Sequence, residues 1–265
     1  MDSPIPPADL DIARLARGWA VEAGDLTLGW FRRAELEVEH KQDGTPVTRA
    51  DRDAEALLRE RITEAFPDDS VLGEEHADRT GSSGRTWVID PIDGTKAFSH
   101  GVGTYSNLLA FADEHGPAVG VINLPAFGEC VWAARGHGAF LDDDPVPALD
   151  RPGAGLEGSV LCVSGFHEWD PDLFGRVAEA GVVVRTWGDG YGYALVATGR
   201  AQAMFDPTLE WWDLAAPALV IQEAGGRITR RDGADVVEPE RSGAYGYSAI
   251  ASTGTDHQNW LDLLG

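Results

Sequence analysis

Positive charge is scarce in this chain of 265 residues. It carries 21 Lys and Arg against 44 Asp and Glu, which gives a formal net charge of −23 at pH 7. A surface of this sign repels the phosphate backbone of nucleic acids and anionic lipid headgroups. The composition therefore excludes nucleic-acid binding through a broad basic face. An anionic small substrate would need local cations, of which bound metal is the simplest source.

Long apolar runs and paired cysteines are also missing. No run approaches the roughly 18 apolar residues that a membrane span needs, and the first residues lack the basic and apolar regions of a secretory signal. We therefore expect a cytoplasmic protein with no membrane partner. The two cysteines, Cys130 and Cys162, lie in apolar stretches without zinc-ligand spacing, which predicts two buried free thiols.

Common catalytic signatures are absent as well. The chain contains no G-x-x-x-x-G-K-[ST], H-E-x-x-H or G-x-S-x-G motif. Residues 188–193 begin like a dinucleotide-binding loop, but Tyr193 stands in place of the last glycine, so we expect no nucleotide site there. What remains is a set of carboxylates at the ends of predicted elements, namely Glu74, Asp90, Asp93 and Asp213.

Hydrophobic periodicity predicts a mixed α/β chain with helices and strands in alternating layers. The first helix is predicted from Leu10 to Phe31, with Leu15, Trp19, Ala23, Leu26 and Trp30 on its apolar face. A second helix is predicted after Thr48, which forms a capping box with Asp51. Further helices are predicted at 171–180, 191–197, 212–223 and the C-terminus. Strands are predicted at 71–72, 87–89, 105–111, 118–124, 129–134, 159–163, 182–186, 203–205 and 248–252.

A Pro- and Gly-rich segment at 142–155 divides the chain into two predicted halves. Residues 1–150 form an N-terminal half that contains most of the predicted site. Residues 151–265 form a C-terminal half that completes it. We expect the two halves to make a single compact catalytic unit.

The segment 90–95, Asp-Pro-Ile-Asp-Gly-Thr, carries the most chemistry. Asp90 and Asp93 follow a buried strand and can point at a common ion, while the carbonyl between them supplies a third oxygen. Oxygen ligands favour hard cations such as Mg²⁺. Gly94 and Thr95 would then open a helix whose free amides attract a phosphate. A surface turn is the alternative interpretation, but a metal cluster beside such a helix favours phosphoryl chemistry.

Three segments in order resemble the inositol monophosphatase family of Mg²⁺-dependent phosphatases. They are Gly73-Glu74-Glu75, the segment 87–98 (Trp-Val-Ile-Asp-Pro-Ile-Asp-Gly-Thr-Lys-Ala-Phe), and Trp212-Asp213-Leu214-Ala215-Ala216 running on to Gly226. The resemblance covers nearly the whole chain. It implies a layered αβαβα sandwich, and homodimers are usual in such proteins.

The resemblance also implies roles for individual residues. Glu74, Asp90 and the Ile92 carbonyl would bind one metal ion; Asp90, Asp93 and Asp213 would bind a second; Glu74 and water would bind a weaker third. The implied cofactor is two to three Mg²⁺ ions, with Mn²⁺ as a substitute.

The implied reaction is in-line attack of water on a phosphomonoester without a covalent enzyme intermediate. Asp51 and Thr95, together with Glu74, would be catalytic, and the amides of Gly94 and Thr95 would hold the phosphate. Asp51 could instead only complement the helix dipole. Lys41 matches a mobile-loop lysine of the family or is simply solvated.

Residues 188–197 and 205–207 resemble the branch of this family that hydrolyses L-histidinol phosphate in histidine biosynthesis. Histidinol is a cation, so Asp189 with its neighbour Gly188, Asp206 and Glu210 would complement it. Asp206 does not discriminate, because inositol-hydrolysing relatives use an acid there for hydroxyl recognition. An inositol-1-monophosphatase or a broad sugar phosphatase is the alternative. A non-catalytic regulatory protein on the same fold is the third hypothesis.

Overall fold

Helices and sheets alternate in five layers. The computed structural model describes residues 5–41, 44–149, 155–166, 169–236, 247–254 and 256–265. In chain order the elements are α1 (Leu10–Trp30), β1 (Val38–His40), β2 (Pro46–Thr48), α2 (Arg49–Ala65), β3 (Ser70–Gly73), β4 (Thr86–Asp93), α3 (Thr95–Ser99), β5 (Ser106–Asp113), β6 (Gly116–Leu124), β7 (Glu129–Ala134), β8 (Gly138–Leu141), β9 (Asp144–Pro145), β10 (Val160–Val163), α4 (Pro171–Glu179), β11 (Val183–Arg185), α5 (Asp189–Ala197), β12 (Ala203–Leu209), α6 (Trp211–Glu223), β13 (Arg227–Thr229), β14 (Tyr247–Ser252) and α7 (His257–Leu264).

Two large sheets carry the fold. The seven-stranded sheet has the order β3-β4-β5-β6-β7-β8-β9, with β3 parallel to β4 and all later pairs antiparallel. The strands predicted at 105–111, 118–124 and 129–134 are therefore found as β5, β6 and β7, which form an antiparallel meander. The five-stranded sheet has the order β11-β10-β12-β14-β13, in which β10 runs parallel to both of its neighbours. A separate hairpin pairs β1 with β2.

Three apolar clusters join the layers. Helices α1 and α2 cover one face of the seven-stranded sheet, and α5 and α6 fill the space between its other face and the five-stranded sheet. Helices α4 and α7 cover the outer face of the five-stranded sheet. This arrangement confirms the predicted αβαβα sandwich.

The apolar face predicted for α1 is confirmed at Trp19, Ala23, Leu26 and Trp30, which are buried or pack against buried clusters, and is wrong at Leu15. Leu15 is 44% exposed, whereas the helix buries small side chains, namely Ala13, Ala16, Ala20, Ala23, Gly24 and Thr27. Because these side chains are short, α1 can lie close to α2 and β6. A face of alanines gives a weaker periodic signal than large side chains do, so the sequence pattern does not mark Ala13, Ala16 and Ala20.

The other element predictions largely agree with the structure. The capping box of Thr48 and Asp51 is present at the start of α2, and both cysteines are buried and free. The short strands β1, β2, β8, β9 and β13 were not predicted. Residues 150–154 of the predicted boundary lie outside the described residues, and the division into halves stays a prediction. No helix in the described ranges has the length and apolarity to cross a membrane.

Candidate active site

A cavity of about 620 Å³ opens where the two sheets and the helices between them meet. Most of the residues predicted for the site line it. They are Glu74, Asp90, Ile92, Asp93, Gly94, Thr95, Gly188, Asp189, Asp206 and Asp213. Asp51 and Glu210 are not part of this lining, and each is described below.

Three carboxylates converge in this cavity. Asp90 and Asp93 end β4, and Asp213 lies in the first turn of α6. One oxygen from each lies within 4.8 Å of the others. Burial, together with the charge of Glu74, raises the pKa of Asp213 to about 7. Burial and the neighbouring acids also hold the pKa of Asp90 and Asp93 well above the usual range.

This donor set fits a hard divalent cation. The three groups offer only oxygen, and in the part of the chain that the structure describes no Arg or Lys forms an ion pair with them. Buried like charges without a cationic partner are costly. A divalent ion would remove that cost, and oxygen ligands are what Mg²⁺ and Mn²⁺ prefer.

Hydrogen bonds fix the orientation of the carboxylates. The Ser106 hydroxyl donates to Asp93 Oδ2 at 2.6 Å, and the Gly190 N–H donates to the same oxygen. The Glu210 N–H donates to Asp213 Oδ2 at 2.8 Å, and the Ile92 N–H donates to Asp90 Oδ1 at 3.1 Å. The site is therefore preorganised by the seven-stranded sheet, by α5 and by the residue that caps α6.

Thr95 connects the cavity to Asp51. Its hydroxyl donates to the Ile92 carbonyl at 3.0 Å and lies 3.5 Å from Asp51 Oδ1. The other oxygen, Asp51 Oδ2, accepts from the N–H of Thr48 at 2.8 Å and from its hydroxyl at 2.5 Å. Burial raises the pKa of Asp51 to about 6. One oxygen thus caps α2 while the other faces Thr95, so both interpretations of Asp51 fit the same geometry.

Gly94 opens α3 in a left-handed backbone conformation. Its φ is +82°, which favours glycine because other residues are strained there. A Cβ at this position would also lie 2.9 Å from Asp189 Oδ2. Gly94 therefore allows the start of α3 to lie close to Asp189.

Asp189 and Asp206 are joined by Ser164, a residue that sequence reasoning missed. The Asp189 N–H donates to Ser164 Oγ at 2.9 Å, and that hydroxyl donates to Asp206 Oδ1 at 2.5 Å. Burial raises the pKa of Asp206 to about 7 and also raises that of Asp189. Ser164 follows β10 without any motif, so no sequence signal marks it.

Glu210 is placed differently from the other predicted substrate acids. It precedes α6, and its backbone N–H holds Asp213. Its carboxyl lies outside the cavity lining. Burial raises its pKa, as does the charge of Glu74. The structure thus supports a positioning role through the backbone, and its contact with substrate stays a prediction.

Lys41 is neither solvated nor free. Its Nζ lies 2.6 Å from Glu74 Oε1 and 2.6 Å from Glu75 Oε1. Although burial opposes it, hydrogen bonding to the two glutamates raises the pKa of Lys41. Burial raises the pKa of Glu75 to about 7. Lys41 therefore neutralises part of the acidic charge at the edge of the cavity.

Comparison with known proteins agrees with this geometry. The chain matches the inositol monophosphatase family over residues 10–260. It belongs to that family. A "Histidinol-phosphatase" of Chlorobaculum parvum is 43% identical over 216 residues, which cover 80% of this chain and 83% of the relative. The "Histidinol-phosphatase" of Mycobacterium tuberculosis is 38% identical over 261 residues, or 96% and 98% of the two chains.

A solved structure agrees with the fold of this family member. The extragenic suppressor protein suhB from Bartonella henselae superposes with a TM-score of 0.86 at 26% identity, covering 96% of this chain and 98% of that one. The resemblance seen in the three sequence segments is confirmed.

Proposed function

We propose that this chain is a Mg²⁺-dependent phosphomonoesterase that converts L-histidinol phosphate and water into L-histidinol and phosphate. The observation that carries the proposal is one cavity that is lined both by a carboxylate cluster and by two further acids, Asp189 and Asp206. The names of the two relatives described above support the same substrate.

The acidic cluster would hold the metal. Glu74, Asp90, Asp93, Asp213 and the Ile92 carbonyl would together bind two to three Mg²⁺ ions, with Mn²⁺ as a substitute. When bound, the ions would supply the positive charge that attracts the phosphate and polarises the attacking water. The chain itself provides little positive charge, because its formal net charge is −23.

Thr95 and Asp51 would orient the attacking water and accept its proton. The Thr95 hydroxyl lies between the Ile92 carbonyl and Asp51, so it can orient a water molecule and pass a proton toward Asp51. With its pKa raised to about 6, Asp51 is matched to accept a proton near neutral pH. The Gly94 and Thr95 amides would hold the phosphate.

Asp189 and Asp206 would bind the rest of the substrate. Histidinol carries an ammonium group and an imidazole, so two acids held by one hydroxyl complement its charge. An inositol ring offers only hydroxyl groups. Because Asp206 can also accept hydrogen bonds from hydroxyls, an inositol or sugar phosphate is the second candidate substrate.

We further propose a cytoplasmic homodimer.

Substrate preference can be measured with matched variants. Phosphate release from L-histidinol phosphate and from inositol 1-phosphate is compared in the unaltered protein, in Asp189→Asn and in Asp25→Asn. Asn tolerates the left-handed φ of +56° at position 189. Asp25→Asn changes an exposed acid on α1.

The unaltered protein should prefer L-histidinol phosphate. Losing a half-buried charge that would face a substrate cation should raise KM for that substrate at least about tenfold in Asp189→Asn, with little change for inositol 1-phosphate. Asp25→Asn should match the unaltered protein. A preference for inositol 1-phosphate would contradict the substrate, and equal effects on both substrates would contradict the role of Asp189.

A further inference from the structure

Glu55, a buried glutamate on α2, accepts hydrogen bonds from the turn that follows Glu74. Glu55 is fully buried. Its Oε2 accepts from the Glu75 N–H at 2.7 Å, and its Oε1 accepts from the His76 N–H at 3.2 Å. Two backbone donors directly after Glu74 are thus held by one carboxylate that belongs to a different element.

Arg59, one helical turn after Glu55 on α2, forms an ion pair with the Glu55 carboxylate. Its Nε lies 2.6 Å from Glu55 Oε1, and its Nη2 donates to the His76 carbonyl at 3.2 Å. The guanidinium therefore neutralises Glu55 and holds the same turn from a second side. A buried carboxylate is stable here because it is both paired and hydrogen-bonded.

The same pair explains why residue 73 is glycine. Gly73 does not have a left-handed φ, so backbone freedom is not the reason. A Cβ at this position would overlap Glu55 Oε1 and would lie 2.9 Å from Arg59 Nη2. The absence of a side chain at Gly73 thus leaves room for the Glu55 carboxylate to approach the backbone next to Glu74.

We propose that Glu55 and Arg59 are positioning residues for Glu74, acting on Mg²⁺ affinity and not on the chemical step. The inference rests on the proposed function, in which Glu74 is a metal ligand. Because the backbone on either side of Glu74 is held in place, its carboxylate faces the cavity before an ion arrives. Ordering a free turn would otherwise weaken binding.

Mg²⁺ titration of the full-length protein tests this proposal. The melting temperature is measured against Mg²⁺ concentration in the unaltered protein and in Glu55→Gln, and kcat is measured at saturating Mg²⁺. Gln keeps the volume of Glu but offers only one acceptor oxygen for three donors, so the turn loosens. We expect the half-saturating Mg²⁺ concentration to rise about tenfold or more, with kcat at saturation close to that of the unaltered protein.

Asp69→Asn is the matched control. Asp69 lies at the other end of β3, is fully buried, and accepts from Arg85 Nε at 2.9 Å and Trp87 Nε1 at 3.1 Å. None of these residues lines the cavity. The control should lose stability without Mg²⁺ yet keep the half-saturating concentration of the unaltered protein.

The outcomes separate the positioning role from the function on which it rests. If the unaltered protein responds to Mg²⁺ and Glu55→Gln responds at the same concentration, the positioning role is overturned and the metal site stands. If the unaltered protein shows no response to Mg²⁺, both are overturned. If Glu55→Gln fails to fold, Arg59→Gln removes the ion pair with Glu55 at its more exposed partner. This variant must then also raise the half-saturating Mg²⁺ concentration.

Discussion

Asp93 shows how one residue serves both the fold and the proposed chemistry. It is buried at the end of β4, bonded to Ser106 and Gly190, and surrounded by other acids. Replacing it with Asn removes the charge but keeps the volume and one acceptor oxygen. The fold needs that acceptor, whereas the proposed metal site needs the charge.

We expect Asp93→Asn to abolish Mg²⁺-dependent turnover and to leave the metal-free protein at least as stable as before, because a buried uncompensated charge is lost. Phosphate release and thermal unfolding in chelator measure the two effects. The exposed Asp25→Asn variant serves as the control and should change neither. Near-normal turnover in Asp93→Asn would rule out its role as a metal ligand.

Asp206 predicts a dependence of stability on pH. Its pKa rises from 3.8 to about 7 on folding because it is buried. Between these values the folded protein holds a proton that the unfolded chain has released, so stability falls as the pH rises from about 4 to about 7. Asn at 206 does not titrate and avoids this loss. The melting temperature of Asp206→Asn minus that of the unaltered protein should therefore increase between pH 5 and pH 8.

The pH prediction has a clear contrary result. If burial does not perturb Asp206, the difference in melting temperature between the two proteins stays constant from pH 5 to pH 8. Asp25→Asn gives the baseline, because this acid is exposed on α1.

Among the elements, β4 has one left-handed glycine before it, Gly84, and one after it, Gly94, and the two can be compared directly. Gly94 has φ +82° and a Cβ there would lie 2.9 Å from Asp189 Oδ2, whereas Gly84 has φ +80° and no atom within 4 Å of its Cβ position. Both Ala substitutions pay the same left-handed strain, about 1 kcal/mol. Gly94→Ala should lose more stability than Gly84→Ala, and only Gly94→Ala should lose activity.

Denaturant unfolding and phosphate release check this pair. Equal losses of stability with unchanged activity in both variants would show that the close approach of Gly94 to Asp189 affects neither stability nor activity.

The sequence predicts elements well where large apolar side chains mark them. The strand of Trp87, Val88 and Ile89 is found as predicted, and so are the three strands predicted at 105–111, 118–124 and 129–134. On α1 the prediction is wrong at Leu15, which is exposed, and it omits most of the buried positions, because alanine, glycine and threonine give a weak periodic signal. Strands of two to four residues such as β9 and β13 carry too few residues for a periodic pattern.

The candidate site divides in the same way. Carboxylates that follow strands in a recognisable motif, such as Asp90 and Asp93, could be identified before the fold was known. Glu55 and Ser164 could not, because their partners are distant in the chain and no local pattern marks them. A buried glutamate on an amphipathic helix looks like a solvated one until the turn packed against it is seen.

For the whole molecule, the middle layer links the two sheets. One apolar cluster contains Val88 and Leu108 of the seven-stranded sheet, Cys162 and Met204 of the five-stranded sheet, and Leu214 of α6. A shared core of this kind couples the unfolding of its parts. We expect calorimetry to show one cooperative transition. Two separate transitions would mean that residues 1–150 and 151–265 are independent units.

The acidic balance of the chain also acts at this scale. With a net charge of −23, the protein gains nothing from a broad attractive field for a phosphate ester, so the attraction must be local. Cations held by the buried carboxylates would supply it. The central claim is therefore that turnover depends on those cations.

Phosphate release from L-histidinol phosphate during Mg²⁺ titration of metal-depleted protein tests that claim most directly. We expect no release in chelator and saturable activation as Mg²⁺ is added, with no activation in Asp93→Asn. Release at the full rate in chelator would contradict it.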